Sequence, residues 1–279
     1  MNAMMNRSLL PFFVIGLLAC NPPKAVVVAP PVAYAPSVIP DPEAELSQMG
    51  VDAVLWQSTS AEVYWIYQQA YAHAKEKLAK NLATESAKPA AVVVDIDETV
   101  LDNSPYQVGA IRNARTFDQA DWKVWTDKAS AAASPGALDF LLHTKSLGCE
   151  VFYITNRDIR ERASTLKNLN DLGFPFADEA HLLLMDGASD KTERRANVSA
   201  THRIVLMVGD QLRDFDERFK DRAANYGKGV VDAMADSLSN YFILLPNPMY
   251  GTYRDAIQGK ESDAERLRRT EEWFQRNGK

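Results

Sequence analysis

The feature that most constrains the fold is a series of short apolar runs separated by helical patterns. Residues 91–94 form a continuous, β-branched run, which is typical of a strand that helices cover on both faces. Similar runs recur at residues 151–154, 181–185, 204–208 and 241–245, and helical patterns occupy residues 137–147 and 157–172. Strands that alternate with helices predict an α/β fold with a doubly wound parallel sheet.

A helical pattern also precedes the first strand. Its apolar residues recur at three- and four-residue spacing and are Val63, Ile66, Tyr67, Ala70, Ala74 and Leu78. This spacing predicts one apolar face that packs on the sheet.

Length and charge narrow the function classes. The 279 residues are 46% hydrophobic, enough for one enzyme-sized domain with a small appendage. The net charge is -6, and no run of Lys and Arg forms a basic stripe, which argues against a nucleic acid polymer as partner. An anionic substrate would therefore need local positive charge, from a metal ion and one or two basic residues.

The amino terminus has the pattern of an export signal. Arg7 precedes an apolar run at residues 9–19, which is too short to span a bilayer and ends at Cys20. This pattern is typical of a bacterial lipoprotein, with a signal peptide at 1–19 and a lipid on the Cys20 sulfur. Residues 20–42 are Pro-rich and predict an extended tether that precedes the catalytic domain at 43–279. Cys149 is the only other cysteine, so we expect no structural disulfide.

Polar residues follow three of the strands, and one more lies in a polar loop after another strand. They are Asp95 and Asp97 after the first run, Thr155 and Asn156 after the second, Lys191 beyond the third, and Asp210 with Asp214 after the fourth. Because ligands bind at the carboxyl ends of strands in such sheets, we expect these side chains to meet. Clustered carboxylates repel one another unless a cation joins them, and hard oxygen ligands favour Mg²⁺.

Phosphoryl transfer gives these residues distinct roles. The carboxylate of Asp95 could attack phosphorus, and Asp97 could protonate the leaving oxygen and then activate water. Thr155 and Lys191 could bind the phosphate oxygens, with Asn156 beside them. Asp210 would bind the metal, while Asp214 would hold a metal-bound water or orient Lys191.

These motifs resemble a known family. Asp95 to Thr99 is similar to the DxDxT signature of the haloacid dehalogenase-like (HAD-like) phosphatases. Together with Lys191 and residues 95–106, 155–157, 209–215 and 245–251, it resembles the class C acid phosphatases, the family of the 5′-nucleotidase lipoprotein e(P4). The resemblance implies a HAD-like Rossmannoid core with a small, mainly helical cap made of the N-terminal helices and residues 103–134.

The resemblance also implies individual ligands and a location. Mg²⁺ would be bound by Asp95, by the backbone carbonyl of Asp97 and by Asp210. Gln211 and Arg213 depart from the family, where Asn is frequent, which leaves the surroundings of the metal less defined. The location implied is the bacterial cell envelope, and Asn21 after the cysteine favours the outer membrane by family habit.

Aromatic residues near the motifs suggest the substrate. Tyr106, Trp122 and Tyr250 could stack on a base, which predicts nucleoside 5′- and 3′-monophosphates among small phosphate monoesters. Trp122 could equally anchor a cap, and Tyr250 a loop, whereas Trp125 is expected in the core. The pair Arg194–Arg195 is expected on a solvated helix face.

Two hypotheses for the function remain open from the sequence. The sequence has no Arg-His-Gly, Cys-x5-Arg, Gly-x-Ser-x-Gly or Gly-x4-Gly-Lys-Ser/Thr motif, so other common hydrolase chemistries are disfavoured. The alternative to a phosphatase is a surface lipoprotein that binds a nucleotide-like or porphyrin ligand without turnover. The intact Asp95 and Asp97 favour the enzyme, and turnover of a chromogenic phosphate ester separates the two. The oligomeric state, a homodimer included, stays open.

Overall fold

The sheets of the molecule contain seven strands in this computed structural model, which describes residues 41–278. The strands are β1 (Ala90–Val94), β2 (Leu101–Asp102), β3 (Ala132–Ala133), β4 (Glu150–Asp158), β5 (Leu182–Met185), β6 (Arg203–Gly209) and β7 (Phe242–Leu244). Five of them form one parallel sheet in the order β5-β4-β1-β6-β7, while β2 and β3 form a separate antiparallel pair. The strand order reverses at β1, which is where ligands bind in open α/β sheets.

Helices cover both faces of the sheet. The α-helices of the described residues are α1 (Pro42–Gln48), α2 (Val51–Thr59), α3 (Ala61–Leu82), α4 (Ser104–Arg112), α5 (Gln119–Thr126), α6 (Ala137–Ser146), α7 (Arg162–Asp171), α8 (Thr192–Thr201), α9 (Lys228–Ala233), α10 (Ala235–Tyr241), α11 (Thr252–Gln258) and α12 (Asp263–Asn277). Val92 and Val94 pack in the core cluster that includes α3 and α6 residues, whereas Ala91 and Val93 pack with Val198 of α8. This arrangement confirms the doubly wound α/β prediction. The helices α4 and α5 lie between β2 and β3, in the segment predicted as part of the cap.

Two local predictions were wrong. Residues 157–172 were expected to be helical, but β4 continues to Asp158 and α7 begins only at Arg162. The extension places Thr155 and Arg157 on one side of the strand, where both are buried. On α3, Ile66 is 37% exposed, and Tyr71 takes a place in the buried face instead.

The predicted signal peptide, lipid anchor at Cys20 and residues 20–40 of the tether lie outside the described residues, so they stay predictions. Pro42, at the end of the predicted tether, begins α1, and the Asp41 side chain accepts the Glu43 amide at 3.1 Å. Cys149 is buried and is the only cysteine of the described part, so it forms no disulfide there. No helix within residues 41–278 is both long and apolar enough to cross a membrane.

Candidate active site

The first motif forms a tight turn directly after β1. The amide of Asp95 donates to the carbonyl of Val208 in β6 at 3.0 Å, so sheet pairing continues as far as this aspartate. The carbonyl of Ile96 then accepts hydrogen bonds from the amides of Val100 and Leu101, both at 2.9 Å. These bonds fix the position of Asp95 at the carboxyl end of the central strand.

Two buried tyrosines of α3 hold the outer part of this turn. The Tyr71 hydroxyl donates to the Thr99 carbonyl at 2.8 Å, and the Tyr67 hydroxyl donates to the Glu98 carbonyl at 2.5 Å. Glu98 has a φ of +55°, a conformation that is unfavourable for a residue with a side chain. The long helix before the sheet therefore supports the strained backbone of the motif.

Three carboxylates from two strand ends meet at the bottom of a cavity. One oxygen each of Asp95, Asp210 and Asp214 lies within 4.8 Å of the others, and all three residues are buried. Lys191 donates from Nζ to Asp95 Oδ1 and, at 2.6 Å, to Asp214 Oδ1. The structure thus brings together four of the predicted residues. It also shows the contact between Asp214 and Lys191, which is one of the two roles predicted for Asp214.

The electrostatics of this group favour a bound cation. Burial raises the pKa of Asp95 to about 7, opposed by Lys191 and reinforced by Asp214 and Asp97. Burial, followed by the charges of Asp214 and Asp95, also raises the pKa of Asp210 well above its usual range. One lysine cannot balance three clustered carboxylates, and an all-oxygen donor set fits a hard divalent cation such as Mg²⁺.

Asp210 is held by two amide side chains. Its Oδ2 accepts hydrogen bonds from Asn247 Nδ2 at 2.7 Å and from Gln211 Nε2 at 3.2 Å. Gln211, which departs from the family pattern, thus orients one of the clustered acids. The carboxylate of Asp97 is not part of the cluster, and the ligand atom predicted for that residue is its backbone carbonyl.

Asp97 is held by a second, separate network. Its Oδ1 accepts from Arg157 Nη2 at 2.8 Å, Arg157 Nε at 2.9 Å and Asn103 Nδ2 at 2.9 Å, whereas Oδ2 has a longer contact of 3.4 Å from the Thr155 hydroxyl. Arg157 is only 2% exposed. Such a charge-assisted, bidentate contact fixes the orientation of the carboxylate.

Two arginines of α8 donate hydrogen bonds to Thr155 and to residues near it. Arg194 donates to the Thr155 carbonyl at 2.5 Å and to Asn156 Oδ1 at 2.7 Å, and Arg195 donates to the Asp214 carbonyl at 3.0 Å. The pair was expected on a solvated face, and this was wrong because both guanidinium groups satisfy oxygens at the strand ends.

An aromatic group forms part of the cavity wall. Trp122 is 8% exposed, and its ring packs edge-on against Tyr106 at 5.1 Å between centroids, with Phe117 at 6.2 Å. The guanidinium of Arg157 lies 5.7 Å from the Trp122 ring centroid. The Trp122 side chain therefore packs against neighbouring aromatic residues and also lines the cavity. Trp125 packs against the core, as expected, and donates to Asn103 at 2.8 Å.

The cavity has a volume of about 560 Å³, within the range of small-molecule sites. Its lining includes the four clustered residues and the following predicted ones: Asp97, Trp122, Asn156 and Tyr250. Tyr106 and Thr155 do not line it. Tyr106 lies against Trp122, and Thr155 is buried beneath Asp97 and Arg157.

Comparison with known proteins agrees with this geometry. Residues 35–253 match the family model of the HAD superfamily, subfamily IIIB (acid phosphatase). The chain belongs to this acid phosphatase family.

Solved and curated relatives of this acid phosphatase family differ in coverage. The structure of the class C acid phosphatase from Bacillus anthracis is 38% identical, with a TM-score of 0.75, and the match covers 82% of this chain and 97% of that one. A second structure of that enzyme, with tungstate bound, is 37% identical with a TM-score of 0.74 and the same coverage. Acid phosphatase 1 of Solanum lycopersicum is 31% identical over 167 residues, which is 57% of each chain. The chain thus spans little more than half the length of the curated relatives it matches.

Several residues of this family member's site were missed by sequence reasoning. Arg157 and Asn103 bind the carboxylate of Asp97, and Asn247 binds that of Asp210. Phe117 lines the cavity, with its side chain 57% exposed. The alternation of Thr155 and Arg157 along a strand was the one local signal for Arg157.

Proposed function

We propose that this chain is a magnesium-dependent acid phosphatase that hydrolyses phosphate monoesters, among them nucleoside 5′- and 3′-monophosphates, through an aspartyl-phosphate on Asp95. The observation that carries the proposal is the buried group of Asp95, Asp210, Asp214 and Lys191 at the bottom of the cavity. The related Bacillus anthracis enzyme with bound tungstate supports it, because tungstate is a tetrahedral oxyanion of the shape of phosphate.

The reaction assigns each proton and bond to a residue of the chain. A carboxylate oxygen of Asp95 attacks phosphorus, the ester P–O bond breaks, and Asp97 gives its proton to the leaving oxygen. Asp97 then takes a proton from the water that hydrolyses the phosphoryl group on Asp95. We assign the proton to Oδ2 of Asp97, because Oδ1 already accepts three hydrogen bonds. Asp95 and Asp210, with Asp214 beside them, would hold a divalent cation, which would supply positive charge against the phosphate oxygens.

Removal of divalent cations tests the metal and the enzyme together. We expect EDTA to abolish turnover of a chromogenic phosphate ester and Mg²⁺ to restore it. Mg²⁺ should also raise the melting temperature of the parent, because a ligand that binds only the folded state stabilises it. Asp210→Asn should lose most of that shift, whereas Asp232→Asn, a change at an exposed acid, should keep it. Full activity in EDTA would contradict the proposed metal dependence, and no turnover under any condition would favour the binding-only alternative.

Substitution of Tyr250 tests the nucleotide substrates. Tyr250 and Trp122 both line the cavity, and stacking on a base contributes about 1 to 3 kcal/mol, or roughly 5- to 150-fold in affinity. Tyr250→Ala should therefore lower kcat/KM for AMP by about that factor and leave kcat/KM for glycerol phosphate unchanged. Tyr241→Ala, at a half-exposed tyrosine outside the cavity, is the matched control. An equal loss on both substrates, or no preference for AMP in the parent, would remove the support for nucleotides.

A further inference from the structure

We propose that the cavity has a second anion-binding site, in which the guanidinium of Arg254 binds a phosphate or carboxylate group of the substrate remote from the reacting phosphate. The inference rests on the proposed function and adds to its substrates the phosphate monoesters that carry another anionic group, which this site would favour. The site lies on the part of the cavity wall formed by α11, α12 and the turn between them.

Arg254 lines the cavity and has donor atoms that form no hydrogen bond within residues 41–278. Its Nη1 donates to the Met249 carbonyl at 2.9 Å, which fixes the guanidinium relative to the loop before α11. Its Nε is buried and has no hydrogen-bond partner among the described residues. A ligand cannot reach the buried Nε, but Nη2 also has no hydrogen-bond partner among the described residues and is the donor left for an anionic ligand.

The acids on this wall already have other basic partners. The pairs are Asp255 with Lys260 at 3.3 Å, Glu261 with Arg269 at 2.8 Å, and Asp263 with Arg266 at 2.7 Å. Arg254 forms no ion pair within residues 41–278. Among the described residues, Arg254 is thus the cationic side chain of this wall that has no carboxylate partner.

A second arginine, Arg266, adds positive charge to this wall. Arg266 also lines the cavity, and burial, together with the charge of Arg266, lowers the pKa of Arg254. Arg266 is already paired with Asp263, so the charge at this wall that still lacks an anion is that of Arg254. A guanidinium can bind either a phosphate or a carboxylate through two parallel hydrogen bonds, which accounts for the chemical class of the ligand.

Arg254 is connected to the catalytic acids through one segment of chain. Gln211 donates both to Asp210 Oδ2 at 3.2 Å and to the Tyr250 carbonyl at 3.1 Å. The amide of Arg254 donates to the carbonyl of Gly251 at 3.0 Å, so Arg254 lies one turn beyond that anchored segment. A substrate that reaches from the acids past Tyr250 would therefore meet Arg254.

A pair of stable phosphonates tests the site without turnover. In Mg²⁺, calorimetry should show that the parent binds 4-carboxybenzylphosphonate at least about tenfold more tightly than benzylphosphonate, as expected for a charge-assisted hydrogen bond. Arg254→Met should remove that preference and leave the affinity for benzylphosphonate unchanged. Arg218→Met, at an exposed arginine outside the cavity, should keep the preference. Arg254→Lys retains the charge without the fork and should give an intermediate preference if Arg254→Met fails to fold.

The outcomes separate this site from the phosphatase function. Loss of the preference in Arg254→Met supports the second site even if no ester is hydrolysed, in which case only the proposed function fails. Equal affinity for the two phosphonates in the parent, absence of binding, or a preference that survives both Arg254 substitutions overturns the second site. A parallel comparison of kcat/KM for phenyl phosphate and 4-carboxyphenyl phosphate should show the same dependence on Arg254.

Discussion

Replacement of Asp95 by Asn should lower kcat by about four orders of magnitude or more, which is the largest loss expected from any single change in this chain. The amide of Asn cannot attack phosphorus as the carboxylate does, and it also contributes less charge to a bound cation. Asn has nearly the shape of Asp, so the hydrogen bond from the Asp95 amide to β6 should remain.

The fold should survive this change. Asp95 is one of three clustered carboxylates, so removal of its charge relieves repulsion with Asp210 and Asp214, although Lys191 loses part of its pairing. We therefore expect the melting temperature in EDTA to be equal to or higher than that of the parent. Steady-state turnover, the melting curve and intact mass after rapid quenching with substrate provide the measurements. A phosphorylated Asn variant, or turnover within tenfold of the parent, would contradict Asp95 as the nucleophile.

Replacement of Asp97 by Asn should lower kcat/KM for AMP by about 10²- to 10⁴-fold, the usual contribution of a general acid. The loss should be smaller for an aryl phosphate with a good leaving group, since that oxygen departs without a proton. Arg157 and Asn103 hold the Asp97 side chain, so the effect should be chemical rather than a consequence of misplacement.

The dependence on leaving group is the decisive measurement for Asp97. Kinetics on AMP and on 4-nitrophenyl phosphate should be compared in the parent, in Asp97→Asn and in Asp102→Asn. Asp102 ends β2, directly after the turn that contains Asp97, but does not line the cavity, and its Oδ1 accepts the Ser104 amide at 2.8 Å. A loss in Asp97→Asn that is equal for both esters would exclude a role for Asp97 in protonating the leaving group.

The strands and the acidic cluster could be predicted because their signals are local. A continuous run such as residues 91–94 marks a strand buried on both faces, and parallel strands place their following residues at one edge of the sheet. From this rule alone, Asp95, Asp210 and Asp214 were expected to meet, although 115 residues or more separate Asp95 from the other two.

Only the tertiary structure decided which partners the long polar and aromatic side chains contact. Arg157 could have begun a helix, and it extends β4 because Asp97 is there to receive its guanidinium. Tyr106 and Trp122 are equivalent as aromatic residues of the cap, yet packing presents only Trp122 to the cavity.

The same distinction applies to the arginines. Arg194 reaches oxygens at the strand end, and Arg254 lines the cavity without a carboxylate partner among residues 41–278. The sequence by itself determined the sheet and the clustered carboxylates, because hydrophobic periodicity and strand direction are encoded residue by residue. The structure alone decided which charges are paired, because an arginine's partner is set by distances between residues remote in the chain.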